Sequence, residues 1–203
     1  MIEHNWFVDN NGLIQKGVTP AKIDSDQQPY RLYRFLTELE DVLNQIADDA
    51  LRMQAIVPLV RKLLNNADWL QIIPLEPDPE TGWAVYMLYD EPFFPLTIQL
   101  VAWAPGIISP IHNHATWGLV ALLSGQEKNT IWRRSPTAEQ PDRIEISDHC
   151  LLNSGDVLCL MPDAIHQIEA NGDQPTISFN LYGETQYERR LEFDPSQNTA
   201  KVF

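Results

Sequence analysis

The sequence is poor in cysteine, in basic side chains and in long apolar runs, and each shortage excludes a class of protein. Its two cysteines, Cys150 and Cys159, form neither a disulfide framework nor a Cys-based zinc site, so we expect reduced core thiols. Lys and Arg number 14 against 28 Asp and Glu, and the net charge of −14 argues against nucleic-acid partners and anionic membrane surfaces. No apolar run approaches the ~20 residues of a membrane span. The first residues, MIEHNWFVDNNG, also lack the basic and apolar regions of a signal peptide, so we expect a cytoplasmic protein.

Three regions with different patterns follow one another along the chain. Residues 1–28 are polar and predict an N-terminal arm or short hairpin. Within residues 29–80, apolar residues recur every three or four positions, which predicts two or three amphipathic helices packed on the rest of the fold. Residues 81–203 predict one structural domain, a barrel with a C-terminal tail. Its expected strands are 83–90, 95–104, 117–125, 128–134, 142–147, 156–161, 166–170 and 175–183.

His112 and His114 are the first candidate metal ligands in the β region. Residues i and i+2 of a strand point to the same face, so the two imidazoles can bind one ion from one wall. Gly106 precedes this pair, and Gly118 and Gly125 follow it. The segment resembles the first motif of the cupin superfamily, G(X)5HXH(X)3–4E(X)6G, except that Gly118 stands where the motif has Glu.

A later segment with Gly155, Pro162 and His166 resembles the second cupin motif, which supplies the last histidine ligand. The resemblance implies a mainly β, cupin-type double-stranded β-helix barrel with an N-terminal helical region, holding a metal on three histidines. Three neutral ligands leave a higher net charge at the ion than a set with a carboxylate, which favours anionic groups such as thiolate or carboxylate. Imidazole accepts Fe(II), Ni, Mn and Zn alike.

The stretch APGIISPIHNHATWGLVALLSGQE resembles the bacterial branch of the type I cysteine dioxygenase (thiol dioxygenase) family, and the similarity covers roughly residues 30–185. This resemblance implies ferrous iron as the metal and O2 as the second substrate, added to the sulfur of a small thiol to give a sulfinate. The family's late Ser-x-His-x-Tyr triad is matched by Ser178, Asn180 and Tyr182, which alternation places on one strand face. The implied catalytic group is the Tyr182 hydroxyl. Asn180, where the family has His, can orient that hydroxyl but cannot shuttle a proton.

The residue that clamps the substrate carboxylate in this family is not found in the sequence. Its expected position falls near Val85, which is apolar, so cysteine as the substrate is doubtful. Arg133 and Arg134 are candidates for a replacement cation. Two alternatives therefore stay open: a cupin oxygenase or isomerase acting on a non-thiol small molecule, and a non-catalytic cupin that binds a metal or a small molecule. We expect a monomer or a homodimer.

Overall fold

A computed structural model describes residues 3–18, 29–71 and 73–203 of the chain. It divides into two compact units, one formed by Val18–Pro74 and the other by Met1–Gly17 together with Leu75–Phe203. Part of the predicted N-terminal arm, residues 19–28, lies outside the described residues. The proposed domain boundaries at residues 28 and 80 stay predictions.

The smaller unit contains the predicted helices, α1 (Leu32–Gln45), α2 (Asp49–Asn66) and the short α3 (Asp68–Gln71). Asp48 caps α2 by accepting a hydrogen bond from the backbone N–H of Leu51 at 2.9 Å. The apolar faces that the periodicity predicted are buried, at Phe35 and Leu39 of α1 and at several residues of α2. Among the described residues, none of the helices has both the length and the apolar character needed to cross a membrane.

The described residues form thirteen short strands, and two of them come before the helices in the chain. Their bounds are β1 His4–Val8, β2 Ile14–Val18, β3 Trp83–Asp90, β4 Leu96–Trp103, β5 Ile111–His112, β6 Gly118–Ser124, β7 Gln126–Arg134, β8 Ile144–Asn153, β9 Val157–Leu160, β10 Ile165–Asn171, β11 Thr176–Gly183, β12 Leu191–Asp194 and β13 Thr199–Val202.

These strands form two sheets between which the chain repeatedly crosses. The seven-stranded sheet has the order β2-β1-β9-β6-β11-β4-β3, and the six-stranded sheet has the order β13-β12-β5-β10-β7-β8. Strands β6, β9 and β11 lie in the first sheet while β7, β8 and β10 lie in the second, as expected of a double-stranded β-helix. The predicted fold class is therefore confirmed: a mainly β, cupin-type barrel with an N-terminal helical region.

The barrel interior has an apolar part and a polar part. The apolar part is a cluster to which both sheets contribute, formed by Val8, Val120, Leu122, Ile131, Cys150, Leu152, Leu158, Leu160 and Ala164. Both cysteines are buried and free of disulfides, as expected. The polar part contains buried histidine, asparagine, glutamate and serine side chains, and it is there that a candidate site forms.

Two strands near the C-terminal end were not predicted. Strands β12 and β13 pair with each other, and β12 also pairs with β5, where Glu192 lies opposite His112. Both strands have only four residues, LEFD and TAKV, which is too short for an alternating pattern to stand out from a loop. Their pairing brings the segment after residue 186 to the end of the barrel that holds the histidines.

Candidate metal centre

The three histidines predicted as ligands come together at one point of the barrel. His112 ends β5 and His166 lies in β10, and the antiparallel register of these strands places the two residues directly opposite each other. His114 follows His112 by two positions, in the loop after the end of β5, and its ring reaches the same point. The ring centroids lie 4.8–5.0 Å apart, and one ring nitrogen of each residue lies within 4.8 Å of those of the other two. The sequence spacing therefore identified a group that could hold a metal ion.

Burial keeps all three imidazoles neutral near neutral pH. It lowers the pKa of His112 to about 4, and it lowers the pKa values of His114 and His166 well below their ordinary value of 6.5. A neutral imidazole has one nitrogen lone pair free to bind a cation. The site is therefore a set of metal donors and not a cluster of positive charges.

Hydrogen bonds on the outer side of two rings determine which nitrogen is free. His112 Nδ1–H donates to the carbonyl oxygen of Pro110 at 2.9 Å, and His166 Nδ1–H donates to Asn129 Oδ1 at 2.8 Å. Both acceptors are oxygens, so both Nε2 lone pairs remain available. His166 Nε2 faces His114 Nε2 at 2.8 Å. With its own proton on Nδ1, His166 accepts this hydrogen bond through Nε2, and His114 Nε2–H donates it. A divalent transition metal that displaces this one proton meets three imidazole nitrogens turned toward one point.

No carboxylate joins the three imidazoles in the metal-binding group found among the described residues. Gly118, which occupies the Glu position of the cupin motif, lies opposite Tyr182 in the pairing of β6 with β11. A Cβ atom at residue 118 would lie 2.9 Å from Tyr182 Cδ1 and 3.0 Å from Cε1. The tyrosine ring therefore fills the space that a ligating glutamate would need.

Ser178, Asn180 and Tyr182 form a connected polar stripe on the inner face of β11, as alternation predicted. The Tyr182 hydroxyl donates to Asn180 Oδ1 at 3.1 Å, and Asn180 Nδ2 donates to Ser178 Oγ at 2.9 Å. The Tyr182 ring stacks on His114 with a centroid separation of 4.7 Å and an interplanar angle of 20°. Burial raises the pKa of Tyr182, with a contribution from Glu127, so the hydroxyl stays protonated. The stripe thus presents a neutral phenol beside a candidate ligand.

A second polar stripe, on β7, was not identified from the sequence. Glu127 and Asn129 are fully buried, and Asn129 Nδ2 donates to Glu127 Oε1 at 2.8 Å. The predicted strand began at residue 128, one position after Glu127. Neither residue stands out in the sequence, because polar residues in strands are ordinarily solvent-facing.

Arg190 is a further residue at this site that the sequence did not indicate. Its guanidinium lies over the ring of Phe203 at 4.4 Å, and the Phe203 ring stacks on His112 at 5.3 Å. The positive charge of Arg190 also contributes to the low pKa values of His112 and His114. Its Nε is buried and has no hydrogen-bond partner among the described residues. A half-buried cation with an open donor therefore lies beside the histidines.

The two arginines proposed as replacement cations are engaged elsewhere. Arg133 Nε and Nη2 donate to Glu145 Oε1 at 2.9 and 2.6 Å, and Arg134 lies 3.6 Å from Asp142. These are solvent-exposed ion pairs at the end of β7. Val85, the expected clamp position, is itself exposed on β3. The geometry therefore favours Arg190 over Arg133 and Arg134 as a cation beside the site.

Comparison with known proteins finds cupin superfamily structures. No protein-family model matches the chain. An oxalate oxidase in complex with the substrate analogue glycolate matches with 12% identity and a TM-score of 0.40. The match covers 54% of this chain and 55% of that one, so the chain spans little more than half of the oxalate oxidase length.

Two bacterial cupins are similar over a larger share of their own length. A cupin superfamily protein from Desulfitobacterium hafniense has 17% identity and a TM-score of 0.42, with 54% of this chain and 84% of that chain covered. A cupin 2 conserved barrel domain protein from Salinispora arenicola has 18% identity and a TM-score of 0.41, with 56% and 87% covered. The narrower resemblance to cysteine dioxygenases stays a prediction.

Proposed function

We propose that this protein is an Fe(II)-dependent dioxygenase that adds both atoms of O2 to the sulfur of a small anionic thiol. The reaction R–SH + O2 → R–SO2H balances without another reductant, because sulfur loses the four electrons that O2 gains. The observation that carries the proposal is the donor set of three neutral imidazoles without a carboxylate, formed by His112, His114 and His166. Such a set favours an anionic sulfur ligand over a neutral one.

These three histidines would hold the iron through their ring nitrogens. When bound, iron(II) supplies the positions at which a thiolate and O2 meet and mediates the electron transfer between them. The buried walls around the histidines exclude bulk water and limit the site to small molecules.

Tyr182 is the proposed catalytic residue, because its protonated hydroxyl lies on the stripe that borders His114. Asn180 accepts the Tyr182 proton in a hydrogen bond and is itself held by Ser178, so the hydroxyl has a defined direction. The phenol has a single proton, so it can donate to an oxygen atom of the reactants only by turning its O–H away from Asn180 Oδ1. The amide of Asn180 orients the hydroxyl but transfers no proton, which distinguishes this stripe from a triad that contains histidine.

Arg190 supports a substrate that has a carboxylate or a comparable anionic group. Its unpaired Nε and its position next to Phe203 and His112 offer a charge-assisted hydrogen bond at the edge of the site. We expect Arg190→Met to raise KM for an anionic thiol roughly tenfold or more, the range of a lost charge-assisted hydrogen bond. The matched control is Arg189→Met, since Arg189 is exposed and paired with Asp163 at 2.9 Å.

The decisive experiment is metal analysis of protein purified without oxygen, followed by a panel of small thiols with sulfinate detection. The proposal expects iron, one O2 consumed per sulfinate formed, and higher activity with thiols that have a carboxylate. Tightly bound zinc with no turnover on any thiol would contradict it.

A second candidate function is a cupin that oxidises or isomerises a non-thiol anion, or binds one without turnover. Asn180 in place of a proton-transferring histidine favours this candidate. O2 uptake with a thiol-free carboxylate, or a ligand-induced shift in melting temperature without product, would support it over the first. The expected cytoplasmic location and the monomeric or dimeric state remain predictions.

A further inference from the structure

Glu127 is a buried acid that the proposed reaction does not use. It lies on the inner face of β7 and is fully buried, and burial raises its pKa to about 7. Its Oε1 accepts one hydrogen bond, from Asn129, while Oε2 has no hydrogen-bond partner among the described residues. A carboxyl group costs free energy to bury, and a purely structural one is ordinarily satisfied at both oxygens. Its position therefore needs another explanation.

The barrel topology places Glu127 two hydrogen bonds away from a candidate ligand. Ile131 lies opposite His166 in the pairing of β7 with β10, so Asn129 is the next inward-facing residue along β7. The Asn129 amide spans the gap: its Oδ1 lies 2.8 Å from His166 Nδ1, and its Nδ2 lies 2.8 Å from Glu127 Oε1. Glu127, Asn129 and His166 thus form one continuous buried chain.

The direction of the amide decides which form of His166 is present. With Oδ1 toward the ring, His166 Nδ1 carries the proton and Nε2 is free to bind a metal. With the amide reversed, Nδ2 would donate to Nδ1, the proton would move to Nε2, and that nitrogen could not be a ligand. An asparagine alone does not distinguish these two states, because it offers a donor and an acceptor of similar size.

We infer that Glu127 is a positioning residue for His166. The ionised Glu127 carboxylate can only accept hydrogen bonds, so it holds Asn129 Nδ2 toward itself and Oδ1 toward the ring, and this selects the tautomer of His166 whose Nε2 is free. The effect is transmitted through Asn129, and Glu127 does not contact the substrate or the metal. The inference rests on the histidines being the metal site of the proposed function and is independent of thiol chemistry.

The test combines a spectroscopic measurement with a metal titration. The tautomer of each histidine in metal-free protein is observed by long-range ¹H–¹⁵N NMR with ¹⁵N-labelled histidine, and affinity is measured with Zn²⁺ alone. In the wild type we expect His166 protonated at Nδ1. In Glu127→Leu we expect a mixture with the Nε2–H form and Zn²⁺ affinity lowered roughly 10–100-fold, the range for lost support of a metal ligand.

Two further variants make the result interpretable. Asn129→Leu removes the acceptor itself and should lower Zn²⁺ affinity at least as much as Glu127→Leu. Thr176→Val is the matched control, since Thr176 is also a fully buried polar residue. Its Oγ1 has no hydrogen-bond partner among the described residues, so it makes no hydrogen bond to the Asn129 amide. It should leave both the His166 tautomer and the Zn²⁺ affinity unchanged.

The inference is overturned if a folded Glu127→Leu keeps the Nδ1–H form of His166 with wild-type Zn²⁺ affinity. If that variant does not fold, Glu127→Gln decides the question. Gln has nearly the same shape but adds a donor that tolerates both amide directions, so we expect a measurable Nε2–H population, and its absence overturns the inference. Zn²⁺ binding that responds as expected in a protein without thiol turnover would contradict the proposed function and leave this inference standing.

Discussion

Each sheet of the barrel contributes one polar stripe to the interior, and the two stripes meet the histidines in different ways. On β7, Glu127 and Asn129 lead to a hydrogen bond with the outer nitrogen of His166. On β11 the stripe ends in Tyr182, whose ring stacks on His114 and whose hydroxyl donates to Asn180 Oδ1. A hydrogen bond to the outer nitrogen determines how a ligand binds, whereas Tyr182 contacts His114 through its ring face and can turn its hydroxyl from Asn180 to a reactant.

We expect the two stripes to affect different properties of the site. Changes on β7 should act on metal affinity and on the pH dependence of stability. Changes on β11 should act on turnover and leave the metal in place. Four experiments test this distinction, in order of decreasing expected effect.

The largest effect is expected from removing one of the three candidate metal ligands. His114→Ala should abolish metal binding, because two imidazoles that remain cannot replace the third, while the barrel stays folded. Metal content per chain and the far-UV circular dichroism spectrum measure the two parts of this prediction. His149→Ala is the control, since His149 is exposed on β8. Full metal occupancy in His114→Ala would mean that the site is wrongly assigned.

The next effect concerns the pH dependence of stability in the metal-free protein. The pKa of Glu127 is about 7 in the fold and 4.5 in the unfolded reference. Between these values the folded chain retains a proton that the unfolded chain has released, so the free energy of unfolding falls as pH rises, and the loss is complete above pH 7. Glu127→Gln lacks this titration. It should gain on the order of 3 kcal/mol relative to the wild type between pH 4 and pH 8.

Chemical denaturation at several pH values measures this difference. Subtracting the two curves removes the contributions of all other titrating groups that the substitution does not alter. A constant difference between wild type and Glu127→Gln from pH 4 to pH 8 would show that Glu127 titrates normally. The β7 stripe would then not differ from the β11 stripe in its effect on the pH dependence of stability.

A smaller effect is expected from Tyr182→Phe on the β11 stripe. This variant keeps the ring stacked on His114 but removes the hydroxyl, so turnover should fall roughly 10–100-fold, as expected for one hydrogen bond to a charged group. Metal affinity should be unchanged, unlike in Asn129→Leu. Tyr187→Phe, at an exposed tyrosine, controls for the loss of a hydroxyl. A parallel loss of metal in Tyr182→Phe would remove the proposed division between the stripes.

The smallest effect is expected at Gly118. The added methyl group of Gly118→Ala would lie 2.9 Å from Tyr182 Cδ1, so the ring must shift from its stacked position at a cost of roughly 1–3 kcal/mol. Gly17→Ala is the control, because its Cβ would meet Asn5 at an ordinary 3.6 Å. Melting temperature and activity report the two consequences. An unchanged melting temperature would show that Tyr182 is less tightly held than its contacts indicate.

Much of the site was predictable because its residues follow local patterns. Ser178, Asn180 and Tyr182 share a face of β11 through a spacing of two, a pattern that depends only on strand geometry. The same spacing predicted that His112 and His114 lie together, and they do, although β5 ends at His112 and the loop after it positions His114. The resemblance to cupin motifs then supplied His166, which local pattern alone could not connect to a pair 52 residues earlier.

Glu127, Asn129 and Arg190 were not predictable in this way. Glu127 and Asn129 look like ordinary strand residues until the pairing of β7 with β10 places them beside His166. Arg190 precedes β12, a four-residue strand that gives no clear pattern, and it reaches the site because β12 pairs with β5. Their roles depend on contacts between segments far apart in sequence.

Local sequence patterns and the motif resemblance were enough to predict the helical and β regions, the inner face of β11, the histidine donor set and the absence of a carboxylate at Gly118. Three features appear only in the folded chain: the buried acid next to the Asn129 amide, the arginine beside the histidines, and the Tyr182 ring in the space of the missing glutamate. Strand alternation is a property of consecutive residues, whereas hydrogen bonds and close approach across a barrel depend on the register between strands.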